Sequence, residues 1–285
     1  MTGIHPTAQV HGSAVVGARV ILGEGVVVGP GAVIEDEVTI GPRCRIGPQA
    51  FIGRFTEMGP DNTVGLAAQV GGEPQAIGWQ PVESRVVLGA GNTIREYASI
   101  HRALHEGGET RLGDRCYLMG SSHVAHDCRL GDEVVMANGA LLAGHVEVGD
   151  NAFISGNCVV HQFVRIGRRV MVRGLTALGK DVVPFVLVDQ SNTVRALNKI
   201  GLRRAGFPRE VIAELTQAFR TIFRSGLTVS EAVAELDAGS PGAELREMLD
   251  FIRASKRGIC LTYSTQVQRL EGQAAEVADD EVGGR

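Results

Sequence analysis

The stretch VILGEGVVVGPGAVIEDEVTIGPRCRIGPQAFIG, Val20 to Gly53, repeats with a period that neither a helix nor a simple strand produces. A helix brings a face back every 3.6 residues and a strand every two. Here an aliphatic residue returns every six, at Leu22, Val28, Ile34, Ile40, Ile46 and Ile52. Glycine follows it at Gly23, Gly41 and Gly47, and a small residue stands four positions after it, at Val26, Ala32, Val38, Cys44 and Ala50.

The frame extends far beyond this stretch. Every sixth residue from Ile4 to Pro184 gives 31 positions, and all but Ala76, Glu106 and Pro184 are Ile, Leu, Val or Met. One aliphatic per six residues fills the inside of a coil built from short flat strands, and glycine eases the turns between them. Three hexads close a triangular coil of 18 residues, and successive coils stack at the strand spacing of about 4.8 Å. Two breaks, near 71–87 and 101–111, keep the frame, so they read as loops bulging from intact coils. The pattern resembles the hexapeptide-repeat left-handed parallel β-helix, and the left hand comes from that resemblance. The expected fold is mainly β, with the β-helix over 1–188.

The period then changes. PREVIAELTQAFRTIFR, Pro208 to Arg224, is helix-periodic, with proline at its start and Gly226 beyond its end. Thr228 and Glu231 form a capping-box pattern that opens a second helix. Ser240-Pro241 opens a third, which ends at Gly258. A small C-terminal α-helical domain is therefore expected over 189–271, followed by a polar, acidic and disordered tail at 272–285.

Composition narrows the function. The chain has 285 residues, 44% of them hydrophobic, and a formal charge of −4. Mild acidity argues against general nucleic-acid binding. With no run of 18 apolar residues and no basic-then-apolar leader, the expectation is a cytoplasmic protein with no stable membrane insertion. The five cysteines form no CxxC pair. Cys44, Cys116, Cys128 and Cys158 all fall in the small-residue slot and read as core hydrophobes.

HVAHDC, residues 123–128, carries the chemistry. His126 lies two residues past the interior Val124, where the chain has left the core. One coil later is AGHV with His145, and two coils later VVHQF with His161, each within one residue of register. A single histidine is usually structural, but three along one edge on successive coils point to a site. Asp127 can fix an imidazole tautomer and make it a better base. Two chemistries fit such a ladder: general-base catalysis by His126, or zinc held by three imidazoles with an open fourth position, as in hexapeptide-repeat carbonic anhydrases of the γ type.

HVAHDC, LLAGHVEVGD, VVHQFVRIG, the IHRA of 100–103 and the GLRRAGF of 201–207 resemble the acyl-carrier-protein-dependent UDP-N-acetylglucosamine O-acyltransferases that begin lipid A synthesis. The likeness covers nearly the whole chain. It implies transfer of a 3-hydroxyacyl chain to the sugar 3-hydroxyl, with His126 as base, Asp127 as its partner and the Gly144 N–H as oxyanion donor. It implies substrate contacts at His123, His145, His161 and Gln162, and nucleotide contacts at Asn198 and Arg204. Gly174 falls where the family sets acyl-chain length, beside an unusual Arg173. A homotrimer with sites between subunits is implied, with no metal and no cofactor, because phosphopantetheine on the carrier protein brings the acyl group. The basic residues Arg165, Arg168, Arg169, Arg173, Arg253, Lys256 and Arg257 are compatible with an acidic carrier protein, and equally with a solvated face.

The chain departs from the family in its first loop. GGEPQAIGW, 71–79, has Ala76 and Gly78 where the family carries Asp and Lys, while Trp79 keeps an aromatic position. Ala205 replaces a second basic residue. These departures leave open a divergent paralogue acylating another nucleotide sugar, and a non-catalytic β-helix that keeps the ladder as a scaffold.

Overall fold

The computed structural model describes residues 3–263; the tail expected at 272–285 lies outside them. Short strands, most of two residues, stack into three sheets of nine, eleven and nine strands, all parallel except the last pair of the eleven-stranded sheet. Face A runs from Gly3–Ile4 to Arg165–Ile166, face B starts at Gln9–Val10, and face C runs from Val15–Val16 to Ala177–Leu178. Strands pair across one coil, Gly3 with Ile21 and Val15 with Val33. At the breaks the partners are further apart in sequence, Met58 with Leu88 and Leu88 with Leu112, so whole hexads have been inserted without loss of register.

The interior is the aliphatic frame itself. Ile34, Ile94, Leu118 and Ile154 are fully buried, and each such side chain stabilises the coil by roughly 1.5–3 kcal/mol. The small slots Ala32, Cys44 and Ala50 are also fully buried. Cys128 belongs with them: its thiol donates to the Ala143 carbonyl at 3.2 Å, and burial pushes it up to about 12. At most corners one residue adopts the left-handed backbone region, among them Glu37, Asp127, His145 and Phe163, with φ of 64°, 60°, 60° and 64°. Coil stacking sustains this geometry, because the N–H of the left-handed residue bonds one coil back, as from His145 to the His126 carbonyl at 3.0 Å.

The β-structure continues past residue 188. Val186–Asp189 and Thr193–Leu197 form an antiparallel hairpin that extends face B, with Val186 opposite Leu197 and Asp189 opposite Thr193. Its strands of four and five residues pair antiparallel and fall outside the hexad frame. Among the described residues four helices follow: α1 Lys199–Arg204, α2 Arg209–Arg224, α3 Val229–Ala238 and α4 Ala243–Arg253. Helix α2 buries Leu215, Phe219, Ile222 and Phe223, and α3 opens on the Thr228–Glu231 capping box. Helix α4 ends at Arg253 rather than Gly258, because residues 254–258 turn back to the coils. There Ile259 bridges to Asp181 and Leu261 to Thr193. No helix among the described residues is long and apolar enough to cross a membrane.

Candidate active site

The corner between faces C and A gathers the chemistry. The turn after the strand His123–Val124 carries His126 and Asp127, and Asp127 Oδ2 lies 2.9 Å from His126 Nδ1. The Asp127 backbone N–H donates to Thr110 Oγ1 at 2.7 Å, and the Leu104 N–H donates to the carboxylate Oδ2 at 3.1 Å. An ionised carboxylate only accepts, so it holds the proton on Nδ1 and leaves the Nε2 lone pair of His126 free.

Gly144 faces that lone pair from the next coil. A β-carbon at 144 would lie 2.5 Å from His126 Nε2, so only glycine lets the backbone approach this closely. The Gly144 N–H also lacks a partner among the described residues. Some equivalent amides elsewhere are capped by an aspartate one coil on: Ala90 by Asp114, Asp114 by Asp132 and Asp132 by Asp150. At this corner the corresponding residue is Gln162, and the donor is left for a ligand. A base and an uncommitted N–H therefore border one space, the arrangement that acyl transfer requires.

The ladder runs differently from the expectation. The rings of His126 and His145 meet edge to face at 5.2 Å, but the next ring is Phe163, stacked on His145 at 4.5 Å. His161 stands exposed, with Nδ1 3.1 Å from the Gln162 carbonyl and 3.5 Å from Arg257 Nη2. The reason is register: His145 and Phe163 are both three past their interior aliphatic, whereas His161 is one past. Three imidazoles for a zinc ion are therefore not assembled. The donors within 4.8 Å of one another are two imidazoles and a carboxylate, His126, His145 and Asp127.

His123 lies beneath the corner, its Nδ1 2.8 Å from Ser99 Oγ and its ring 4.9 Å from that of His101. Burial pushes His123 down to about 4, with His101 and His126 adding repulsion, so it is neutral near pH 7. Burial also lowers His145, against the pull of Asp127. Beside the corner, on face A, opens a groove of about 870 Å³ bordered by Asp127, His145, Phe163, Arg165, Lys256 and Arg257. Arg257 donates to the Gln162 carbonyl and so ties the C-terminal segment to this rim.

The remaining expected site residues lie elsewhere in the single chain. Asn198 caps α1, accepting from the Gly201 N–H at 3.1 Å and donating to the Arg169 carbonyl at 2.9 Å, which places it at the corner between faces A and B. Arg204 is exposed in α1. Gly174 is exposed at the corner between faces B and C, and the neighbouring Arg173 is paired with Asp189 at 3.3 Å. Phe163, Leu104 and Thr110 were not anticipated. Counting 18 from His145 finds Phe163; nothing local marks the other two.

Residues 181–260 match a family model described as UDP N-acetylglucosamine O-acyltransferase, domain 2, and residues 21–54 match bacterial transferase hexapeptide repeats. The chain is 44% identical over 207 residues to the acyl-[acyl-carrier-protein]–UDP-N-acetylglucosamine O-acyltransferase of Halorhodospira halophila, covering 72% of this chain and 80% of that protein. The protein of the same name from Gloeothece citriformis is 42% identical over 201 residues, or 70% of this chain and 73% of its own length. Among solved structures, the UDP-N-acetylglucosamine acyltransferase of Campylobacter jejuni superposes with a TM-score of 0.80 at 36% identity, covering 90% of this chain and 99% of that one. The Francisella novicida enzyme gives 0.81 at 32% identity, covering 92% and 95%.

Proposed function

The chain belongs to the acyl-[acyl-carrier-protein]–UDP-N-acetylglucosamine O-acyltransferase family, and on that premise we propose that it moves a 3-hydroxyacyl chain from acyl carrier protein to the 3-hydroxyl of UDP-N-acetylglucosamine, the first step of lipid A synthesis. The observation that carries the mechanism is the approach of Gly144 to His126 Nε2. Asp127 holds the Nδ1 proton, and Nε2 takes the proton of the sugar hydroxyl as its oxygen attacks the thioester carbonyl. The carbonyl oxygen becomes the oxyanion and receives the Gly144 N–H. Collapse breaks the carbon–sulfur bond. The departing pantetheine sulfur then takes the proton back from the His126 imidazolium. No metal or organic cofactor enters this sequence.

A homotrimer completes the pocket in this reading. Face A carries Arg111, Arg129, Glu147 and Arg165, whereas face C exposes Leu141 and Val159 and face B presents Phe153 and Met171. Packing face B of one subunit on face C of the next removes apolar surface from water. It also brings the A–B corner, with Asn198 and Arg204, against the neighbour's C–A corner, with His126. Gly174 then lies at the inner end of that interface, where the acyl chain would reach, while His123, His145, His161 and Gln162 border the sugar. The charged face A stays outward, open to an acidic carrier protein.

The test is a panel of nucleotide sugars with carrier proteins bearing 3-hydroxyacyl chains of several lengths, followed by mass spectrometry. The expected result is a 3-O-acylated UDP-N-acetylglucosamine and one free carrier thiol per turnover. Inactivity with every chain length on this sugar would overturn the reading.

A further inference from the structure

Three hydrogen bonds in series join the first loop to the base. The indole Nε1–H of Trp79 donates to the Leu104 carbonyl at 3.0 Å. The Leu104 N–H donates to Asp127 Oδ2 at 3.1 Å, and the same oxygen lies 2.9 Å from His126 Nδ1. Leu104 sits in the short second loop, between the strands Ser99–His101 and Glu109–Leu112, and Trp79 sits in the first, between Gln69–Gly72 and Arg85–Leu88.

The two loops pack as one body. Ser84 Oγ donates to the Ala103 carbonyl at 2.6 Å, and the Gly107 N–H donates to the Glu83 carbonyl at 2.8 Å. The buried Arg102 guanidinium lies 5.2 Å from the Trp79 ring and 5.8 Å from Phe55, with Glu73 at 3.7 Å. Position 104 is therefore held from one side by Trp79 and reads out on the other side at Asp127. A shift of the first loop pulls on the Leu104 carbonyl in the 104–105 peptide and, through the Leu104 Cα, turns the adjoining 103–104 peptide whose N–H holds the Asp127 carboxylate.

We infer that Trp79 is a positioning residue: through Leu104 it couples the placement of the 73–84 loop to the tautomer and aim of His126. The inference rests on His126 being the base.

Trp79 is the only tryptophan of the chain, so its replacement during biosynthesis is site-specific. β-(Benzothiophen-3-yl)alanine keeps the fused ring over Arg102 and removes only the N–H. With this residue, or with Trp79→Phe, kcat should fall about 3- to 10-fold, the size of one lost hydrogen bond, while KM for both substrates stays within about twofold. In parallel, ¹⁵N shifts of the His126 ring should show the Nδ1–H tautomer dominant in the native protein and mixed in the sulfur analogue. A residue that serves packing alone would leave that tautomer ratio unchanged. An unchanged ratio together with unchanged kcat overturns the coupling. If His126→Ala remains active, the base reading is what has failed, and the ¹⁵N measurement still decides the coupling.

Discussion

A β-carbon on Gly144 would stand 2.2 Å from Cε1 of the His126 ring. The clash is with a side chain that can swing away, so Gly144→Ala should displace the imidazole rather than break the coil. We expect Tm within a few degrees of the native protein and turnover lower by about 10²-fold or more, the contribution of a positioned base. Thermal melting and steady-state rates on one preparation separate the two effects; a variant as active as the native protein would mean that His126 does not work from this position.

His126→Ala should lower turnover by about 10²-fold or more and leave the assembly intact, because the side chain lies outside the coil interior. Asp127→Asn is the sharper variant. Asn tolerates the left-handed backbone at 127, φ 60°, so the turn persists while the ionised acceptor is lost. Its rate should also drop about 10²-fold or more. Retention of activity by the Asn variant would show that the carboxylate charge is unimportant.

Acid should destabilise the fold through its buried histidines. Burial holds His123 down at about 4, while an exposed imidazole titrates near 6.5. Between those values the unfolded chain binds a proton that the folded chain refuses, so stability is lost as pH falls from about 6.5 to about 4. Burial lowers His101 and His145 in the same sense. Tm should decline across this window, and His123→Gln should flatten the decline; a flat native profile would contradict the burial-driven shift.

The family resemblance of the first loop implies an Asp and a Lys holding the substrate where this chain has Ala76 and Gly78. Ala76→Asp should tighten UDP-N-acetylglucosamine binding by about tenfold, the worth of one hydrogen bond to a charged group, without changing the chemical step. Gly78→Lys should gain less. Nothing crowds a β-carbon there, but φ is +76°, a conformation that costs a lysine about 1–2 kcal/mol. Calorimetric titration of both single variants and the double checks this. Unchanged affinity in the double variant would remove the loop from the sugar clamp.

Val159 is 47% exposed on face C, in the apolar strip proposed to meet a neighbour. Val159→Glu should turn trimers into monomers in analytical ultracentrifugation and abolish transfer, although every residue at its own C–A corner is unaltered. A fully active monomer would show that one chain holds the complete site.

Much of this molecule is legible in one dimension because a solenoid makes sequence spacing equal to spatial neighbourhood. Leu22, Ile40 and Met58 lie 18 apart and stack directly, so counting by six predicts the sheets, the core and even the in-register loops. The nearness of His126 to the AGHV turn of the next coil is readable for the same reason, whereas Gly144 as a site residue comes only from the family resemblance. Legibility ended where contacts stop following that count. The antiparallel hairpin 186–197 leaves the six-residue count, and the return of 259–261 to the coils has no local signal. Whether His161 or Phe163 covers His145 turned on two residues of offset within a turn. Leu104 and Trp79 reach the dyad through loops whose lengths preserve the frame but whose paths no periodicity encodes. Only the packed structure decides where those backbone groups point, because hydrogen bonds are directional and the hydrophobic period is not.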